Sequence, residues 1–177
     1  CLLKTSKFEK AFMFIGAGGN GKSVLIDFLV SLLGKENISD VPIQEIAHER
    51  FKKVELYGKM ANLYADIEYD ELRKTGTIKA LISGDRIIAE RKHQHPFSFQ
   101  NYAKMIFSCN RFPQVIDQTD AMFRRFIIVN WERQFTKSEI DVTLRSYLTN
   151  SQKERNNVFN CLVHIARKLN ERGRFRY

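Results

Sequence analysis

The sequence predicts an α/β domain of three layers, with a central parallel sheet, an inserted β-hairpin and C-terminal helices. Three observations predict it. Short apolar runs alternate with stretches of helical periodicity, the pattern of strands buried on both faces. One strand-to-helix junction is the glycine-rich loop "GAGGNGKS", residues 16–23. Several strands end in an acid or an amide, and an open parallel sheet gathers its functional groups at those ends.

The elements follow in order. "KAFMFIG" (10–16) reads as a buried strand closed by glycine. "KSVLIDFLVSLLG" (22–34) has helical spacing and a glycine C-cap at Gly34. "NISDVPI" holds a short second strand and "QEIAHERF" a short helix. "MANLYADI" (60–67) is a buried strand ending in acid. "TIKALISG" (77–84) is a short helix stopped by Gly84. "DRIIAERKHQHPFSFQ" (85–100) reads as two strands joined by a charged turn. "AKMIFSCN" (103–110) is a further buried strand, "DQTDAMFRRF" a short helix, and "RFIIVNW" (125–131) the last strand. Polar helices are expected over 137–148 and 152–171, with a basic tail after them. The soft boundary falls at 133–137. This gives a core over 1–134, with its hairpin at 85–100, and a helical extension of the same domain over 135–177.

A chain of 177 residues with 44% hydrophobic content can bury a proper core. Its apolar runs fall short of the roughly 20 residues of a membrane span. "VLIDFLV", the longest, is broken by Asp27. No signal peptide is visible. The start at Cys1 rather than Met reads as a fragment of a longer protein. Cys1, Cys109 and Cys161 are odd in number and widely spaced, which suits reduced thiols in the cytoplasm rather than a disulfide framework or zinc site. His93 and His95 lack neighbours in sequence to complete a metal site. The net charge of +9 fits either a plain basic surface or a polyanion partner.

The glycine loop matches G-x-x-x-x-G-K-[ST], between a strand and a helix. Its glycines turn backbone N–H groups toward phosphate oxygens, and the helix start adds its positive dipole end. The nucleotide-binding run is Gly16, Ala17, Gly18, Gly19, Asn20, Gly21, Lys22, Ser23 and Val24. Lys22 reaches the β- and γ-phosphates of a nucleoside triphosphate, and Ser23 can ligate Mg²⁺. Asp66 ends its strand and can hold Mg²⁺ directly or through water, or else cap a turn. Glu68 could polarise the attacking water, or be a solvated acid. Asp70 and Glu71 compete for that role. Asn110 could bond the γ-phosphate or begin a turn. Arg124 or Arg125 could stabilise transition-state charge as an arginine finger, or pair with Asp117 or Asp120.

In this order, "GAGGNGKS", "MANLYADIE", "IKALISGDRIIAERKHQHPFSF", "AKMIFSCNRFP" and "DAMFRRFIIVNW" resemble the superfamily 3 helicase domain of phage, archaeal-plasmid and archaeal-virus primase-helicases. The resemblance covers residues 10–131. The phosphate loop is widely shared; "KALISGD…ER" followed by "FSCN" is far more specific. The resemblance implies an AAA+-like P-loop ATPase that forms a hexameric ring of identical subunits around DNA. It implies ATP hydrolysis with Mg²⁺, 3′–5′ movement, and a primase domain in the same longer chain. By matching position, Lys22 and Ser23 serve the Walker A role, Asp66 the Walker B role and Asn110 the sensor role. Arg124 or Arg125 matches the finger region. The pattern Asp66-Ile67-Glu68 departs from the paired acids or single glutamate of many relatives, so the base stays open.

The resemblance also assigns DNA contact to the 85–100 hairpin. "ERKHQH" is dense in donors, and Arg91, Lys92 and His93 at its tip could meet backbone phosphates without reading bases. A solvated charged turn is the plainer reading. Lys79, on the preceding helix, either supports the hairpin or touches DNA. Two other classes share the phosphate loop. A small-molecule kinase would show an arginine-rich lid and an acceptor pocket in place of the basic hairpin. A nucleotide-dependent switch or loader, assembling on DNA or a partner without unwinding, is separated from a helicase by an unwinding assay.

Overall fold

The computed structural model describes residues 1–69, 72, 75–115 and 119–175. Strand β1, Ala11–Ile15, sets the layers by alternation. Ala11 and Met13 are buried in one core cluster, and Phe14 in a second cluster on the opposite face. The glycine loop leads into helix α1, Lys22–Leu33, which packs Ile26 and Leu33 onto that second face. Gly34 ends the helix at φ +83°, donating its N–H to the Val30 carbonyl at 3.0 Å.

Strand β2 (Ile38–Ser39) and helix α2 (Ile43–His48) follow, then strand β3 (Ala61–Ile67). Buried Asn62 on β3 takes both the N–H and the carbonyl of Val41, each at 2.9 Å, and so fixes the exit from β2. Helix α3 (Thr75–Ser83) leads through Gly84 into β4 (Arg86–Ala89) and β5 (Phe97–Gln100). These two form a separate antiparallel hairpin, with Arg86 opposite Gln100 and Ala89 opposite Phe97. Then come β6 (Lys104–Cys109), α4 (Asp120–Phe123) and β7 (Phe126–Asn130).

The main sheet has the order β2-β3-β6-β1-β7, and every neighbouring pair is parallel. Parallel neighbours need crossovers, and here helices supply most of them. Met105, Phe107 and Cys109 of β6 face the larger cluster with α2, α3 and α4, while Ile106 faces α1. The expected central parallel sheet, inserted hairpin and flanking helices are therefore all present.

The hairpin root is pinned by polar contacts. Gly84 sits at φ +74°, where an added Cβ would lie 2.6 Å from the Ser6 Cβ. Asn101, buried at the far leg, donates to the Leu81 and Ala103 carbonyls at 3.0 and 3.2 Å and accepts from the Ala103 N–H at 3.1 Å. Tyr57 supports the inner side, its ring 5.1 Å from Phe97 and 5.3 Å from Phe99.

Helices α5 (Leu144–Asn150) and α6 (Gln152–Arg172) complete the chain against α1. Ser151 caps α6 by accepting from the Glu154 N–H at 3.3 Å, and Gly173 closes it at φ +74°. The helix expected over 137–148 begins only at Leu144. Ahead of it, Asp141 accepts from the Thr143 N–H at 2.8 Å and Glu139 accepts from the Thr136 N–H at 2.9 Å. These local side-chain bonds offer the backbone an alternative to helix.

Candidate nucleotide site and basic hairpin

The loop after β1 closes on its own lysine. Lys22 Nζ donates to the carbonyls of Gly16 (2.5 Å) and Ala17 (3.1 Å) and to Asn20 Oδ1 (3.0 Å). Burial draws the Lys22 ammonium below the usual lysine range, opposed by the Cys109 sulfur and the Asp66 carboxylate. Gly19 and Gly21 take φ of +73° and +86°, the left-handed region that glycine enters freely. Ala17, Gly18, Gly19 and Ser23 are exposed, and Val24 is half-buried.

A segment that sequence reasoning missed holds this loop from behind. Residues 131–135, just past β7, run along it as a strap. The Trp131 N–H donates to the Ile15 carbonyl at 2.7 Å, and Asn20 Nδ2 donates to the Trp131 carbonyl at 3.2 Å. Gln134 Nε2 reaches the Gly18 carbonyl at 3.1 Å, and the Phe135 N–H the Gly19 carbonyl at 2.9 Å. A Cβ on Gly16 would stand 2.3 Å from the Trp131 carbonyl oxygen. The only sequence signal was an aromatic pair, Trp131 and Phe135, beyond the last strand.

The strand order brings the ends of β3 and β6 beside this loop. Between Tyr64 (opposite Phe107) and Ile67 (opposite Cys109), β3 advances three residues while β6 advances two. The extra residue makes a bulge, and within it Asp66 is exposed at φ +64°. A non-glycine residue in that region is uncommon and gathers at functional sites. Asp66 lies within electrostatic reach of Lys22. Asn110 follows β6 directly and is exposed, while the Gly16 N–H donates to the Cys109 carbonyl at 3.2 Å. The Cys109 thiol is pushed up to about 11 by burial, with Lys22 opposing and Asp66 reinforcing. Glu68 is exposed beyond the bulge, and its carbonyl accepts from Gln44 Nε2 at 3.1 Å. Asp70, Glu71 and Asp117 lie outside the described residues.

The two arginines after α4 part company. Arg125 is largely buried: Nε and Nη2 donate to Ser83 Oγ at 3.0 and 2.9 Å, and Nη1 to the Ala121 carbonyl at 2.5 Å. Glu9 lies 3.7 Å from it. Arg124 is exposed, with no side-chain partner among the described residues.

At the hairpin tip, Arg91, Lys92 and His93 are all exposed. The Gln94 N–H closes the turn onto the Arg91 carbonyl at 3.0 Å, and His93 adopts φ +63°. The Arg91 guanidinium rests 5.6 Å from the Phe97 ring centre. Lys79 is half-buried on α3, outside the hairpin itself.

Residues 14–125 match the family described as "Family of unknown function (DUF5906)". The chain belongs to DUF5906. The DUF5906 span takes in the loop, the Asp66 bulge, the hairpin, Asn110 and both arginines. Among curated proteins, this DUF5906 chain is 26% identical over 144 residues to the provisionally named helicase L207/L206 of Acanthamoeba polyphaga mimivirus. That match covers 77% of this chain and 15% of the relative. The fold of this chain is similar to part of the NrS-1 C-terminal region (TM-score 0.64, 20% identity, 80% of this chain and 33% of that one). JCV helicase is also similar (TM-score 0.50, 16% identity, 83% of this chain and 42% of that one). Among the described residues, no helix is long and apolar enough to cross a membrane.

Proposed function

We propose that this DUF5906 chain is the ATPase portion of a DNA helicase of the superfamily 3 type. It hydrolyses ATP to move along and unwind DNA during plasmid or viral replication, in the cytoplasm of the host cell. The observation that carries the reading is the meeting of the Gly16–Ser23 loop, the Asp66 bulge and Asn110 at one end of the sheet. The helicase name of the mimivirus relative supports it. In this reading residues 1–134 are the ATPase core and 135–177 its helical extension, six copies form a ring, and a primase domain belongs to the same longer chain.

The loop suits a triphosphate on its own geometry. Left-handed glycines and exposed loop residues leave its outer side free of bulk, beside the start of a twelve-residue helix. Lys22 is held by three neutral acceptors of its own loop, and anionic phosphate oxygens are stronger acceptors. Ser23 and Asp66 are the residues that would hold Mg²⁺, which when bound neutralises charge on the phosphate oxygens. Glu68 would orient the attacking water and Asn110 would bond the γ-phosphate. Arg124, exposed and unengaged, is the better finger for a neighbouring subunit's site, and Arg125 the poorer. Arg91, Lys92 and His93 would meet DNA phosphates in the ring's channel, with Lys79 behind them.

ATP hydrolysis measured with and without single-stranded DNA tests this, on wild type and on Lys92→Ala/His93→Ala. Stimulation by DNA that the hairpin variant loses is the expected result. Hydrolysis indifferent to DNA, in a protein shown to assemble, would sink the helicase reading.

A further inference from the structure

Arg125 stands where two separately hydrogen-bonded parts meet, the main sheet and the hairpin, whose apolar residues share one core. Its backbone belongs to the main sheet: the Ala11 N–H at the start of β1 donates to the Arg125 carbonyl at 2.8 Å. Its side chain reaches Ser83, the last residue of α3, and Ser83 is followed at once by Gly84 and the hairpin. The donor and acceptor count at Ser83 is complete. Its oxygen has two lone pairs, filled by Arg125 Nε–H and Nη2–H, and its hydroxyl proton goes to Glu9 at 3.3 Å. The guanidinium side chain is only 13% exposed and keeps Glu9 nearby as counter-charge. A forked, charge-assisted contact of this kind fixes orientation as well as distance.

The residue before it, Arg124, points to solvent. We propose that Arg125 and Ser83 are positioning residues that fasten the hairpin root to the segment bearing Arg124, so that the two shift together. A displacement felt at Arg124 then reaches the hairpin root through this hydrogen-bonded joint, which adds direction to the apolar packing the two parts share. Asn101 ties the other leg to the same helix by donating to the Leu81 carbonyl of α3, so both legs of the root move with α3. The inference rests on the reading of the hairpin as the DNA contact. It adds the joint by which nucleotide turnover and DNA contact are coupled.

The test is the ratio of hydrolysis rates with and without single-stranded DNA in the assembled protein. Ser83→Ala removes the shared acceptor and touches neither the loop nor the hairpin tip. Basal hydrolysis should stay within about twofold of wild type, while the stimulation ratio falls about tenfold, in keeping with the loss of a charge-assisted bond. Ser83→Thr, which keeps the hydroxyl, should restore the ratio. A purely structural role would lower the melting temperature and both rates together. Full stimulation in Ser83→Ala overturns the joint and leaves the helicase reading standing. Wild type without stimulation overturns both. If Ser83→Ala does not fold, Arg125→Lys, which keeps the charge but loses the fork, is read by the same ratio.

Discussion

Asn20 Oδ1 accepts a hydrogen bond from Lys22 Nζ at 3.0 Å, between two buried polar residues of one loop. The same amide donates to the Trp131 carbonyl at 3.2 Å. One side chain thus sets both the lysine and the strap. Asn20→Asp replaces a neutral acceptor with an anion that would compete with phosphate for the ammonium, and it removes the donor to Trp131. Nucleotide affinity should fall by about tenfold or more, the cost of a lost charge-assisted bond. Titration with a fluorescent ADP analogue measures it, and unchanged affinity would contradict the arrangement.

Two glycines of the loop should respond differently to the same methyl group. At Gly16 a Cβ meets the Trp131 oxygen at 2.3 Å and Asn20 Nδ2 at 2.6 Å, while at Gly18 nothing lies within 4 Å. Gly16→Ala should destabilise by about 1–3 kcal/mol through overpacking. Gly18→Ala should stay within about 0.5 kcal/mol of wild type. Urea unfolding of the two variants side by side decides it.

Arg124 and Arg125 should separate in the same way. Arg125→Ala strands the Ser83 hydroxyl, Glu9 and the Ala121 carbonyl, at a cost of about 1–3 kcal/mol. Arg124→Ala should leave stability within about 0.5 kcal/mol. Its effect should appear instead in assembled protein. Mixing Arg124→Ala with Lys22→Ala subunits should recover part of the ATPase activity at mixed sites. No recovery in rings shown to be mixed would remove Arg124 from the finger role.

Cys109 gives a pH signature. Its thiol is fully buried and pushed up to about 11, mainly by burial. At neutral pH both the folded and the unfolded thiol hold the proton. As pH rises past the ordinary thiol range, the unfolded state loses its proton first, so unfolding is favoured progressively up to about 11. Cys109→Ala should remove this slope, worth roughly 2–3 kcal/mol across the window at 1.36 kcal/mol per unit, whatever its constant cost in packing. Parallel slopes above pH 9 for variant and wild type would refute the burial argument. In native protein at pH 8, iodoacetamide should modify exposed Cys161 and spare Cys109.

Local signals carried much of this fold, and long-range contacts carried what sequence missed. The β1–loop–α1 unit was legible because an apolar run, glycines at left-handed positions and helical spacing are all local features. The hairpin was legible from its alternation around "ERKHQH". The late start of α5 was not, because Asp141 and Thr143 are compatible with helix until their side chains find nearby backbone. Which arginine stays free was undecided, since Ser83 lies 42 residues from Arg125. The strap was invisible for the same reason: Gly18 and Gln134 are 116 residues apart. The bulge at Asp66 depends on register with β6, which no single strand encodes.

Trp131 is the chain's only tryptophan, and its buried indole Nε1 has no hydrogen-bond partner among the described residues. Its ring lies 3.7 Å from where a Cβ on Gly21 would stand and packs beside Phe14. Light absorbed at the red edge of the protein spectrum is therefore absorbed at one place, the seam between strap and phosphate loop. Any rearrangement of that seam changes the colour or brightness of the emission, and no label has to be attached to see it.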